Sequence, residues 1–377
     1  MPTADELLGV DVIAALTEVL TRSGARSGAR GGPGAWPAVQ DSVAGAAGQG
    51  LTQRVRLVRD AVLGDLSGGY PELAAVTRAA LDDPALTGWM VWPLTEAIAV
   101  AATTNPDCFD DGLALLAALT PRLTSEFALR TFLNADHGRT LIAALTWTRD
   151  PDPAVRRLAS EGTRPRLPWA AQVPAITANP SLTSTILGAL HTDPSDVVRR
   201  SVANHLNDVS RLDPRLALET ARRWSESQEA PTTPAVVRHA LRTLVKQADP
   251  DALALVGFRS EPGALLVRGP VLRETTVSGG GELHFDLTIT NTADTAATVA
   301  IDYVIHYRKA DGRTAPKVFK LSSRRLAPGA EIAINRRHSF QDRSTRRHHP
   351  GMHAVELQVN GQRHGRSDFL LSPAADS

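Results

Sequence analysis

Glu161 is a carboxylate in a place that disfavours one. It closes the helical part of RRLASEGTRPRLPWA, Arg156 to Ala170, where the unpaired carbonyls of a helix C-terminus repel negative charge. An acid kept there asks for a task other than helix stability. Downstream, Gly162 can end the helix, Pro165 and Pro168 hold the chain extended, and Trp169 closes the run. A rigid loop carrying a carboxylate, two guanidiniums (Arg164 and Arg166) and an indole makes a poor core and a plausible binding site. The chemistry open to these groups is electrostatic: a carboxylate stabilises positive charge or moves a proton, arginines hold anions, and an indole face attracts cations. Read alone, the loop also fits an Arg and Glu capping network.

Other residues have ordinary readings beside their functional ones. Glu126, in TSEFALRTFL, follows Thr124 and Ser125 at an acceptable helix start, where a first-turn acid complements the dipole. Asn204 and Asp208, in SVANHLNDVS, are neighbours on one helix face and fit hydrogen bonds between repeats. His205, beside them, is near enough to reach a phosphate. The pair His348-His349 lacks the companions of a metal site and reads as a charged turn tip. Cys108, the single cysteine, forms no intramolecular disulfide and reads as a buried thiol in a reducing compartment.

Two regimes of patterning must position these residues. With 377 residues, 42% of them apolar, the chain can build two cores. Before about residue 260 apolar residues recur at helical spacing, as in DPAVRRLASEG and TPAVVRHALRTLVKQADP. After it they alternate, as in ELHFDLTITN, TVAIDYVIHYR and HAVELQVNG, separated by turns at NTAD, ADGR and APGA. Val155-Arg156-Arg157, Val198-Arg199-Arg200 and Val237-Arg238-His239 repeat at offsets of 43 and 39 residues, the period of HEAT-type helical pairs. The predicted fold is therefore an all-α HEAT-like repeat solenoid over residues 1–258, followed by an all-β immunoglobulin-like sandwich over 262–377. In such a solenoid the valines pack inward and the arginines line up as a basic ridge. The Gly-rich stretch Arg22 to Gln40 is expected to be a flexible loop after the first helix.

Net charge is +1, but from Lys309 to Arg347 eleven basic residues meet three acids, a local +8 that favours an anionic partner. The candidates within it are Arg336 and Arg337, before an expected turn at HSF, and Arg346 and Arg347, before His348. The N-terminal stretch has acids ahead of its apolar residues, unlike a signal peptide, and no apolar run is long enough to span a membrane. A cytoplasmic, nucleoid-associated monomer without cofactor or membrane contact is expected. A surface adhesion module is disfavoured, since neither signal nor disulfide is expected.

Taken together, WMVWPLTEAIA near Trp89, TSEFALRTFL, PDPAVRRLASEGTRPRLPW, DVVRRSVANHLNDVS and RRHSFQDRSTRRHHPGMHAVELQVNG resemble the AlkC branch of the AlkD/AlkC superfamily of bacterial alkylpurine and alkylpyrimidine DNA glycosylases. The resemblance spans nearly the whole chain, and some members of that branch carry an Ig-like domain after the repeats. One departure is visible: His348-His349-Pro350 stands where aromatics are expected. The resemblance implies a monofunctional glycosylase that hydrolyses the N-glycosidic bond of cationic N3-alkylated bases, 3-methyladenine or 3-methylcytosine, in duplex DNA, without base flipping. It implies catalytic roles for Glu161, Glu126 and Trp169. It further implies DNA contacts from Phe127, Arg130, Arg157, Arg164, Arg166, Arg200, Asn204 and Asp208. With aromatics at 5%, no aromatic cluster that would cage a flipped base is expected. The competing reading is a non-catalytic HEAT and Ig scaffold binding DNA or protein, against which the two glutamates in their motifs weigh.

Overall fold

The computed structural model of the protein describes residues 3–29, 34–227, 230–247, 249–258, 263–342 and 347–373. It divides into two compact units, one formed by Met1–Ala217 with Gln228–Ala240, the other by Leu218–Ser227 with Leu241–Ser377. The described part of the first is helical. The second carries the strands, together with the short helices Arg242–Lys246 and Pro250–Leu255. Among the described residues no helix is long and apolar enough to cross a membrane.

In the helical unit the repeat has a structural counterpart. Val155, Val198 and Val237 are buried in the helices Pro153–Glu161, Asp196–Val209 and Thr233–Ala240. In the first two repeats the arginine after the valine does other work than forming a ridge. Arg156 donates through Nη1 to the carbonyls of Asp150 (2.9 Å) and Pro151 (3.0 Å), and through Nε and Nη2 to the Asp193 carboxylate (2.6 and 3.1 Å). Arg199 donates to the Asp193 carbonyl, likewise six residues upstream, and pairs with Asp196. The first arginine of each pair thus closes the turn before its own helix, and Arg156 also ties that turn to the next repeat. The predicted ridge shrinks to the second position, where Arg157 is half-buried and Arg200 exposed.

The Gly-rich stretch also differs from expectation. The helix Val10–Ser27 runs through Arg22 to Ser27, with Ser23 and Gly24 buried. Small residues there let it pack against the helix Gly69–Leu81, where Arg26 Nη2 donates to the Ala79 carbonyl at 2.6 Å. That contact outweighs glycine's helix penalty of about 1 kcal/mol. Residues 30–33 of the stretch lie outside the described residues.

The strands are β1 (Leu265–Leu272), β2 (Thr276–Val277), β3 (Glu282–Asn291), β4 (Ala297–Arg308), β5 (Thr314–Leu326), β6 (Glu331–Ser339), β7 (Gly351–Val359) and β8 (Gln362–Leu371). They form a three-stranded sheet, β1-β3-β6, and a five-stranded sheet, β2-β8-β7-β4-β5. The period-2 alternation is what packs them: Leu283, Phe285, Leu287 and Ile289 of β3 meet Val299, Ile301, Tyr303 and Ile305 of β4 in one core with Val355, Leu357 and Val359 of β7.

The expected HSF turn is strand. His338 is buried, bonded to the hydroxyls of Tyr303 (2.8 Å) and Tyr307 (2.7 Å), and the alternation continues to buried Phe340. Arg336 and Arg337 therefore lie within β6 rather than at a turn, on opposite faces. Arg336 leans over the Tyr303 ring at 5.8 Å and Arg337 reaches Glu282 at 3.5 Å, both remaining exposed. Arg347 is exposed, and Arg346 lies outside the described residues. His348 is no charged tip: its ring packs on Tyr307 (5.3 Å) and Phe340 (5.2 Å).

Candidate active site

The loop after Glu161 is built from its main chain. Gly162 ends the helix in right-handed conformation, so its role is not the left-handed cap expected of a glycine. A Cβ there would come within 2.5 Å of Leu129 Cδ2, so any larger residue would displace the Leu129 side chain of the helix Leu129–Ala135. Arg130, on that helix and 1% exposed, donates through Nη1 to the carbonyls of Gly162 (3.1 Å) and Arg164 (2.7 Å) and through Nε to that of Ala171 (2.8 Å). One guanidinium holds both ends of the loop. Burial lowers its pKa to about 10, with the nearby Arg164 charge contributing. Leu167 and Val173 anchor the loop in the core, and between them Trp169 stands 80% exposed with φ +62°. A bulky side chain in the left-handed region costs roughly 1–2 kcal/mol, sustained here by the stapled main chain.

Beneath this loop three acids and two guanidiniums interlock. Glu161 is 7% exposed and Glu126 8%. Arg157 lies between them, Nη1 at 3.0 Å from Glu126 Oε2 and Nη2 at 3.8 Å from Glu161 Oε2. Arg164 donates to Glu161 Oε1 (2.6 Å) and Asp208 Oδ2 (2.8 Å). Burial alone would weaken the hold of Arg164 on its proton, but Asp208 and Glu161 more than offset it. Burial raises the Asp208 pKa, opposed by its bond to Arg164. Glu126 lies in the turn before the helix Leu129–Ala135, which starts later than predicted. Thr124, instead of capping that helix, donates its hydroxyl to Glu126 Oε2 at 2.9 Å. Both Glu161 oxygens are occupied, whereas Glu126 Oε1 takes no hydrogen bond among the described residues.

The opposite wall is one buried polar stripe of the helix Asp196–Val209. Ser201, His205 and Asp208, four and then three residues apart, face the Pro153–Glu161 helix. Ser201 Oγ donates to Glu161 Oε2 at 2.6 Å. His205 is fully buried, with Nδ1 donating to the Ser160 carbonyl (2.9 Å) and Nε2 bonded to the Thr183 hydroxyl (3.0 Å). Burial lowers its pKa to about 3, so it is a neutral spacer inside the protein and no phosphate ligand. Asn204 and Asp208, expected as mutual neighbours, serve different repeats: Asn204 bonds His239 at 3.1 Å, while Asp208 holds Arg164. A charge-assisted hydrogen bond contributes about 1.5–3 kcal/mol. Ser201→Ala is therefore expected to slow any chemistry that depends on the Glu161 carboxylate by roughly 10-fold while leaving Tm within a few degrees. Single-turnover kinetics beside thermal melting checks both.

Aromatics gather near the site, though not as a cage for a base. Phe127 stacks on Trp92 with ring centroids 4.6 Å apart, and Trp92 meets Trp89 at 5.9 Å. These rings touch one another and leave no slot between them, so they form a wall rather than a cage.

The fold has a counterpart of known structure. The Pseudomonas fluorescens alkylpurine DNA glycosylase AlkC bound to DNA containing an abasic site analog superposes with a TM-score of 0.84 at 32% identity, covering 98% of this chain and 99% of that one. The chain belongs to the AlkC family. The uncharacterized protein YhaZ of Bacillus subtilis (strain 168) is 35% identical over 263 residues, 70% of this chain and 72% of YhaZ. Residues 266–373 match the family model described as the C-terminal Ig-like domain of YhaZ, which spans the strands.

Within this AlkC-family fold the structure brings Glu126, Arg157, Glu161, Arg164 and Asp208 together and exposes Trp169 and Arg166 beside them in sequence. It removes Arg130 and Arg164 from the expected DNA contacts, because their guanidiniums are buried on carbonyls and carboxylates. Asp208 is a partner of Arg164 rather than a DNA contact. Phe127 is half-buried against Trp92, and Arg200 lines a groove with Arg199, Ala203 and His239. Ser201 was missed by spacing arguments. Its signal was the polar stripe it shares with His205 and Asp208, since polar residues so spaced on a core-facing helix need partners.

Proposed function

We propose that the protein is a monofunctional DNA glycosylase that releases cationic N3-alkylated bases, 3-methyladenine and 3-methylcytosine, from duplex DNA. The observation that carries this reading is the pair Glu126 and Glu161, nearly buried, bridged by Arg157 and followed by a loop that presents Trp169 to solvent. An alkylated cationic base is already a good leaving group. As its glycosidic bond breaks, the electron pair goes to the base, which departs neutral, and positive charge builds on the deoxyribose. Carboxylates fixed in a low-dielectric setting stabilise that charge without reorganising. Water then attacks C1′ and gives up a proton, leaving an abasic site. Glu161, with both oxygens held, supplies fixed negative charge, while Glu126 Oε1, still free to accept, orients the water and takes its proton.

The base is not flipped into a pocket in this reading. The touching rings of Trp89, Trp92 and Phe127 have no room for one, and the exposed Trp169 offers its face to the lesion by cation–π or sugar contact, worth about 0.5–2 kcal/mol. Arg166 and Arg200, exposed, take flanking phosphates. Base release from defined methylated duplexes, with products identified by mass, tests activity and substrate together. DNA binding with no released base would make the protein a HEAT and Ig scaffold instead.

Arginines of the strand-rich unit add phosphate contacts in the same reading. Replacing Arg336, Arg337, Arg346 and Arg347 with glutamine is expected to flatten the slope of log K against log salt by about 0.9 for each phosphate that the variant no longer neutralises. An unchanged slope in a variant with wild-type melting would assign this surface to another partner.

A further inference from the structure

The segment WMVWPLTE lies outside the carboxylate network, yet it ends in an acid with a specific partner. Glu96, on the helix Val91–Thr103, accepts the indole N–H of Trp92 on Oε1 at 3.2 Å. Among the described residues this is its one hydrogen bond. Burial pushes the Glu96 carboxyl upward, with the indole bond, Arg59 and Arg56 pulling it back. Trp92, 6% exposed, has its ring stacked against Phe127, interplanar angle 26°. Phe127 is joined by one peptide bond to Glu126. We propose that Glu96 is a positioning residue for Glu126, acting through Trp92 and Phe127.

The physical argument is one of rotamers. Glu126 sits in a turn rather than a helix, so its own backbone hydrogen bonds do not fix it as those of a helix would. A stacked ring next in sequence does, but only if the ring beneath it is itself fixed. The bond from Glu96 selects one orientation of the Trp92 indole, and the stack passes that orientation to the turn. The arrangement supports the site without touching any reacting atom. It rests on the glycosylase reading for its kinetic consequence alone.

The test uses the full chain and three substitutions. Glu96→Gln retains an acceptor oxygen for the indole. Glu96→Leu removes it and leaves the indole N–H without its acceptor, a cost of about 1–3 kcal/mol to the fold that thermal melting reads separately from the rate. Trp92→Phe keeps a ring for the stack and removes the N–H. Glu96→Leu and Trp92→Phe are each expected to slow single-turnover base release by about 5-fold with near wild-type DNA affinity, and Glu96→Gln to restore the rate. Combining Glu96→Leu with Glu126→Gln should be no slower than Glu126→Gln alone, since both act through one group. Independently of activity, the Glu126 carboxyl carbon and Arg157 Nε–H resonances, read by NMR at fixed pH, should shift in Glu96→Leu and return in Glu96→Gln. Multiplying kinetic effects in the double variant, or unmoved Glu126 and Arg157 resonances in Glu96→Leu, would overturn the proposal. A wild-type protein that releases no base defeats the glycosylase reading by itself, and the NMR comparison still decides whether Glu96 positions Glu126.

Discussion

Glu161→Gln is expected to lower single-turnover base release by at least about 100-fold, roughly 2.7 kcal/mol in the barrier. The substitution is nearly isosteric, so the effect would come from charge. In the wild-type site Arg164 and Ser201 both donate to this carboxylate and Arg157 lies 3.8 Å from it. A glutamine offers one acceptor oxygen where two donors converge, and it leaves two guanidiniums facing a neutral group just where, in the glycosylase reading, positive charge develops on the sugar. DNA binding should survive, because those guanidiniums remain and the exposed Arg166 and Arg200 are untouched. Near wild-type turnover in the variant would transfer the main role to Glu126, whose free Oε1 makes it the next group to replace.

Trp169→Ala is expected to slow release of cationic bases by up to about 30-fold, the equivalent of a 2 kcal/mol cation–π contact. Tm should hardly fall. A packed tryptophan would cost about 3–5 kcal/mol of stability on truncation, but an indole 80% exposed has little packing to lose. Its left-handed backbone argues the same way, since alanine at φ +62° inherits the strain without adding to it. A large drop in melting temperature would show that the ring is buried in solution, and an unchanged rate with an unchanged Tm would remove it from the chemistry.

How far the sequence foretold this depends on the range of each signal. Glu161 was legible because an acid at a helix C-terminus is a local anomaly, and the strands were legible because alternation is local too. The two arginines of each repeat were not separable. In sequence Arg156 and Arg157 are adjacent and alike, and only the folded chain shows that one closes a turn while the other bridges two glutamates. Arg130 and Arg164 were expected as DNA contacts, since what claims them lies 34 and 44 residues away. The HSF segment read as a turn because the tyrosine hydroxyls that accommodate His338 within a strand belong to β4. The Gly24 helix was missed because propensity is a weak prior against a neighbouring helix that small residues let approach.

The staple made by Arg130 separates the shape of the loop after Glu161 from its side chains. Its hydrogen bonds go to carbonyls, which every residue type supplies, so the path from Gly162 to Ala171 does not depend on the side chains at positions 166 and 169. Those exposed positions are therefore free to vary while the loop keeps its course. In the glycosylase reading, a lineage carrying this staple changes which lesion it favours by exchanging one or two outward-facing side chains, with no new fold and no new loop to evolve.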